Sequence, residues 1–414
     1  MEMMEQRKMQ DSRTVSRMWS TTLNDSTFDP GRFPGLYAPG WASVVGEYYL
    51  TTDMHERLYC IRTSDGNIVW SYNNWPNISL SHALDRQITG VGDTIAVLRH
   101  GTIELLDIHN GTFKGRVHLS EAQKSGASFY ALGSKLFLSY DSGFTVFDAS
   151  GMEVWNTTVS AAQSSIQTGG SNGQGYIAYI QMWSSPNRSE EYPVLVISNV
   201  SGPGAIAFFE LIHKSDDYVY INQVTNKSVM YFTIPNFGRS RVVRFDWACQ
   251  RLIFDITIDD VVKGYGLGGD SFYFHFVNSM SAYDINTGAL NGNTGQLTGV
   301  SFISHILGFP GFCVLGLATP QGTLNVTAWN ATTLQQMWTM SPPSTPSYTV
   351  FSNWGGVLAI PSSAGGLTLV NGSDGSMMLQ ARSGQYTNFD PQSMVIGVSH
   401  LFFSFAATVV GLVF

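Results

Sequence analysis

Residues 57–72, RLYCIRTSDGNIVWSY, read as one β-hairpin: an apolar strand, an Asp-Gly turn, and a second strand ending on Trp70. β-branched and aromatic residues fit a pleated, half-buried surface, and the Asp-Gly pair supplies the positive φ that a tight turn needs. The same hairpin recurs along the chain. Residues 102–119 read TIELLDIHNGTFKGRVHL, 143–159 GFTVFDASGMEVWNTTV, 279–297 SMSAYDINTGALNGNTGQL, 324–341 LNVTAWNATTLQQMWTMS and 367–383 LTLVNGSDGSMMLQARS. Two more divergent copies occupy 192–212 and 239–258.

The turns fall at Gly66, Gly111, Gly151, near Gly204, near Gln250, at Gly288, near Thr333 and at Gly375, a period of about 44 residues. A further apolar run precedes each hairpin, as at 95–98 and 136–139, so each copy holds four strands. Four strands in a period of this size make one blade of a β-propeller. Asp107, Asp148 and Asp284 each close a strand just before a turn, where a short carboxylate caps backbone N–H groups. The expected fold is an all-β propeller of four-stranded blades, eight-bladed, with seven to nine as the open range. Complete blades are expected at about 41–75, 88–120, 126–160, 173–213, 217–258, 262–297, 301–341 and 348–383.

Trp70, Trp155 and Trp338 hold one position in the outer strand, and Trp19, within TVSRMWSTTL at 14–23, matches it. A Trp there can bury a broad face against the neighbouring blade. The pattern of strand, Asp or Asn, x-x-Gly, x-x-x-Trp resembles the repeat of the pyrroloquinoline-quinone (PQQ) or quinoprotein-like β-propeller superfamily. LYCIRTSDGNIVWSY, FTVFDASGMEVWNTTV and SAYDINTGALNG carry it best. The resemblance implies the fold. Its catalytic members carry an adjacent Cys-Cys pair, an Asp base and Glu/Asn calcium ligands. This chain has Cys60, Cys249 and Cys313 far apart, and its acidic residues cannot be matched to those ligands. Other members are non-catalytic, such as bacterial outer-membrane assembly scaffolds.

Net charge is −8 and only 13% of residues are charged, so the chain has no basic stripe of the kind that binds nucleic acid or an anionic membrane. Cys60 and Cys313 lie in apolar runs and read as buried thiols, with one disulfide as the alternative. Residues 1–13 are polar and expected to be disordered. Residues 14–414 are expected to form a single propeller domain.

The end of the chain, 393–414, is apolar. It reads as three strands of a last blade whose fourth strand surrounds Trp19, pairing the two termini and removing an exposed edge. The apolar run 394–414 also has the length of a membrane helix or a lipid-anchor signal.

Ten N-x-S/T sequons occur, at Asn24, Asn77, Asn110, Asn156, Asn187, Asn199, Asn226, Asn325, Asn330 and Asn371. They point to a glycosylated extracellular or lumenal protein. Turn chemistry, rich in Asn, Ser and Thr, is the competing explanation. Residues 1–17 lack the apolar core of a signal peptide, so a cytoplasmic location stays open.

Motifs for catalysis fail on context. GGSNG at 169–173 matches G-x-S-x-G but precedes a strand, not a helix. Gly264, Gly266 and Gly269 match G-x-G-x-x-G, yet SFYFHFV follows, so they read as turn glycines. The nine histidines are dispersed, and His275 alternates with aromatics in FYFHF. No catalytic residue, metal ligand or cofactor is therefore assigned. The expected function is a non-enzymatic binding or scaffold domain that presents loops to a protein or glycan partner. The alternative is a divergent PQQ- and calcium-dependent oxidoreductase with its site in the central channel.

Overall fold

The computed structural model describes residues 16–23, 42–52, 57–73, 87–99, 101–158, 167–169, 176–183, 192–202, 205–210, 218–224, 227–234, 239–342, 352–354, 357–362, 366–382, 395–396, 400–405 and 408–413. The architecture is a β-propeller. Eight four-stranded blades are contiguous in sequence, at 43–72, 87–118, 128–158, 167–210, 218–258, 264–293, 302–340 and 352–382. We number them one to eight. Within each, the strands lie in sequence order across the sheet, each hairpin pairing with the next, which is what short turns between consecutive strands impose.

A further four-stranded sheet is built from both ends of the chain, in the order Ser16–Thr22, Thr408–Val413, His400–Phe405, Val395–Ile396. The described residues thus form nine sheets, eight contiguous and one composite. The described residues of the apolar tail are strand, and no helix among the described residues is long and apolar enough to cross a membrane. In the composite sheet Trp19 pairs with Gly411, and the register then slips between Arg17 and Trp19. The same slip comes just before Trp70 (opposite Cys60), Trp155 (opposite Val146) and Trp338 (opposite Ala328) in their outer strands.

The turn before the outer strand is a six-residue device in blades one, two, six, seven and eight, and a five-residue one, Asp148 to Met152, in blade three. In blade two the N–H of Gly111 donates to the Asp107 carbonyl at 2.9 Å, and Asp107 N–H donates to the Thr112 carbonyl at 2.8 Å. The Asp107 carboxylate accepts the N–H groups of His109 and Asn110. Asp284, Asn330 and Asn371 make the equivalent bonds in blades six to eight, and Asp148 and Asp246 similar ones in blades three and five. The fifth residue must turn left-handed. Glycine serves at Gly66, Gly111, Gly288 and Gly375, while Gln250 and Leu334 adopt φ of 51° and 50° in its place. Leu334, one residue past Thr333, is the true turn position of blade seven.

The chain divides by its contacts into two compact units. One comprises Trp75–Gly264 and Tyr283–Asn291; the other comprises Met1–Asn74, Tyr265–Ala282 and Gly292–Phe414. In the first, Trp155 of blade three donates its indole N–H to the Val200 carbonyl of blade four at 3.0 Å. In the second, Trp338 of blade seven donates to the Gly372 carbonyl of blade eight at 2.9 Å. Both acceptors immediately follow a capping Asn, so the Trp locks the neighbour's turn.

Blades that lack this Trp solve the same problem differently. Blade five carries Phe254 opposite Arg244, the position that Trp155 and Trp338 hold. Phenylalanine has no N–H, and the Arg244 guanidinium donates instead to the carbonyl of Ile285, which follows the Asp284 cap. A Cβ on Gly288 would lie 2.6 Å from the Phe254 ring, and one on Gly375 would lie 2.7 Å from Trp338. Where the outer strand carries Gly292, the turn facing it carries Leu334, whose Cδ1 would be 3.2 Å from a Cβ on Gly292. Bulk on one side of a blade junction is matched by glycine on the other, as close packing requires.

Candidate functional site

The fourth strand of each blade lies at a sheet edge. Each contiguous blade also exposes a large apolar side chain at the start of that strand. In one unit these are Phe113, Met152 with Val154, Ile206, Leu252 and Leu290; in the other, Ile68, Met337 and Met377. Phe113 is 51% exposed, Leu252 53%, Leu290 58% and Met377 53%. Five of them stand two residues after the left-handed turn residue: Ile68, Phe113, Leu252, Leu290 and Met377. Where that place holds Glu153 or Gln336, the next residue, Val154 or Met337, is the exposed apolar one.

A strand-period reading assigns such residues to the core. A slip in the pairing, between Ile68 and Trp70 in blade one and between Phe113 and Gly115 in blade two, breaks the two-residue alternation there, which only three-dimensional register shows. Arg116 lies over the Phe113 ring, 5.6 Å from its centroid, and bonds Glu104 at 2.6 Å, so the start of this strand in blade two is held in place.

Cys60 and Cys313 are buried and Cys249 is exposed, and none of the three is in a disulfide. Burial pushes the Cys60 thiol up to about 12 and raises Cys313 as well, which disfavours the thiolate form at both. His275 is buried; desolvation lowers its pKa, and its Nδ1 bonds the Phe276 carbonyl at 3.2 Å. Burial likewise raises the Tyr231 hydroxyl to about 12.

Gly264 and Gly266 lie in the strand Gly264–Gly268, and of the G-x-G-x-x-G residues Gly269 alone has a turn φ, at 57°. A Cβ on Gly266 would lie 3.0 Å from the Ile306 carbonyl oxygen, and one on Gly268 2.1 Å from the Gly308 backbone. The glycines are there because two backbones touch, not because a phosphate binds. Of GGSNG, Gly169 ends a strand, and the other four residues lie outside the described segments.

The Asp carboxylates at the turns are acid-strengthened by hydrogen bonds. Lys114 is the main cause at Asp107, with the His109 and Asn110 N–H groups; Ser150 is the main cause at Asp148. Among the described residues no three His, Cys, Asp or Glu side chains converge to hold a metal ion.

The sequons divide as follows. Asn110 and Asn156 are exposed, while Asn199, Asn325, Asn330 and Asn371 are half-buried. Asn24, Asn77, Asn187 and Asn226 lie outside the described residues, as do residues 1–13. Trp155 and Trp338 are buried at blade junctions, Trp70 is half-buried, and Trp19 is placed by its backbone.

The sheets and their repeat define a β-propeller. No protein-family model matches the sequence, and no curated protein matches it. Among solved structures, the quinohemoprotein alcohol dehydrogenase ADHIIG from Pseudomonas putida HK5 is 12% identical with a TM-score of 0.50, covering 96% of this chain and 76% of that one. A eukaryotic initiation factor is 9% identical with a TM-score of 0.55, covering 90% and 89%. BamB from Moraxella catarrhalis is 14% identical with a TM-score of 0.48, covering 97% and 100%. Identities this low establish the fold alone.

Proposed function

We propose that the chain is a non-enzymatic binding propeller whose outer strands dock a protein partner, in an extracellular or lumenal setting. The observation that carries this reading is the exposed apolar side chain repeated at the start of the outer strand in every contiguous blade. Contiguous exposed apolar surface marks interaction sites, and this reading takes the side chains repeated on neighbouring edge strands of one unit as the anchors of such a surface. Their chemistry favours protein over glycan. Most are Ile, Leu, Val or Met, which pack against other side chains, whereas sugar rings are held by aromatic faces and polar groups.

The test is a triple variant, Phe113→Asp, Leu252→Asp and Leu290→Asp, in the full chain. Each side chain is exposed, so stability should change by no more than about 0.5 kcal/mol per site. Complexes isolated with the parent chain, sized by native mass spectrometry, should be lost in the variant. Retention of the same complexes would sink the outer-strand reading. A saturable rise in melting temperature on titration with PQQ and calcium would instead favour the oxidoreductase alternative, because ligand that binds only the folded state stabilises it by mass action.

A further inference from the structure

The sequons are of two physical kinds. Asn330 accepts the N–H groups of Thr332 and Thr333, and Asn371 accepts the N–H and hydroxyl of Ser373. Asn199 accepts the N–H of Ser201 at 2.8 Å. Asp148 makes the same pair of bonds to Ser150 that Asn371 makes to Ser373. Asp and Asn are interchangeable as caps, and the Ser or Thr two residues on belongs to the turn. These three sequons thus arise from blade-turn chemistry, whatever compartment the chain occupies.

The residue after the asparagine separates the two kinds. It is buried at Val200, Val326, Ala331 and Gly372. Trp155 and Trp338 dock on the carbonyls of Val200 and Gly372, and Ala331 sits in an apolar cluster with Cys313 and Leu334. Asn325 is further tied to the Ser341 hydroxyl at 2.7 Å. A branched sugar on any of these four amides would have to emerge from a packed junction. Asn110 and Asn156 differ. Both are exposed, and each is followed by a half-buried residue, Gly111 or Thr157. The Asn110 oxygen accepts the Thr112 N–H at 2.9 Å, leaving the amide nitrogen at the turn surface. Asn156 lies on the edge strand Glu153–Thr158, where its amide nitrogen donates to the exposed Glu153 carboxylate rather than into a junction.

We propose that Asn110 and Asn156 are N-glycan attachment sites and that Asn199, Asn325, Asn330 and Asn371 are not. This rests on the lumenal reading above for its occurrence in the source cell. In the reaction the amide nitrogen of Asn110 or Asn156 loses one proton and bonds the anomeric carbon of an oligosaccharide. The bond from that carbon to a lipid diphosphate breaks, and the lipid diphosphate leaves with the electron pair.

The test directs the full chain into the secretory pathway of a eukaryotic host with a cleavable leader. Glycopeptide mass spectrometry of total cell and secreted material then reads each site. Occupancy at Asn110 and Asn156 should exceed that at the four junction sites at least tenfold. Asn110→Asp and Asn156→Asp should each remove one glycan mass, and Asn371→Asp none. Equal occupancy across the six sites, or empty Asn110 and Asn156, would overturn the assignment. The same peptides from the chain's own source cells test the compartment separately. Bare sites there, with the expected pattern in the host, would refute the lumenal location and leave the site assignment standing.

Discussion

Replacing Gly375 by alanine perturbs one blade junction at a known point. Gly375 has a φ of 74°, and an added Cβ would lie 2.7, 2.8 and 2.9 Å from three ring atoms of Trp338. The indole cannot retreat freely, because its N–H is bonded to the Gly372 carbonyl. A left-handed conformation costs a non-glycine residue about 1–2 kcal/mol, and overpacking a filled site about 1–3 kcal/mol. The substitution should therefore destabilise by about 2–5 kcal/mol.

In a Trp338→Gly background the ring is gone, and only the backbone cost should remain. The coupling between the two sites is then about 1–3 kcal/mol, within the range for residues in contact. Urea titration followed by far-ultraviolet circular dichroism reads both differences, provided the slope stays constant among variants. Equal cost of Gly375→Ala in both backgrounds would refute the reasoning that junction bulk and turn glycine are matched. Gly292 facing Leu334 is the arrangement the double change approaches.

Other outcomes follow from the same structure. Arg244→Ala should cost about 1–3 kcal/mol by leaving the Ile285 carbonyl short of a donor, and adding Phe254→Trp should recover part of it, measured by the same titration. Asn371→Asp should leave stability nearly unchanged, whereas Asn371→Ala should lose about 1 kcal/mol with its turn bonds. The depressed pKa of buried His275 means the unfolded chain takes up its proton first. Its contribution is present above the unfolded value of about 6.5 and lost as pH falls below it, and His275→Gln should flatten stability between about pH 7 and 5. A thiol reagent should label Cys249 in the folded protein and reach Cys60 and Cys313 only on unfolding, as counted by mass.

Much of this molecule is local in the chain. Strand propensity, Asx caps and left-handed turn residues recur every 44 residues or so, and each acts over a handful of neighbouring positions. That is why blade boundaries, capping Asp residues and the strand nature of the apolar tail were legible from residues 57–72 outward. Trp19 was recognisable because its flanks repeat those of Trp70, and the composite sheet then gives it the same register.

What tertiary structure decided lies between blades. The partners Arg244 and Ile285 are 41 residues apart, and Trp155 and Val200 are 45 apart. Nothing local to Phe254 signals that an arginine on the neighbouring strand replaces the missing indole N–H. The glycines at 264–269 read as turns because one sequence cannot show a second backbone lying against them. Exposure of Phe113, Leu252 and Leu290, and the division of sequons into surface and junction kinds, depend on which side the strand register turns each residue. A repeat by itself fixes what each blade is made of. Side-chain volume and hydrogen-bond donors across each junction, set only when neighbouring blades meet, decide how the blades lock and which residues are left for a partner.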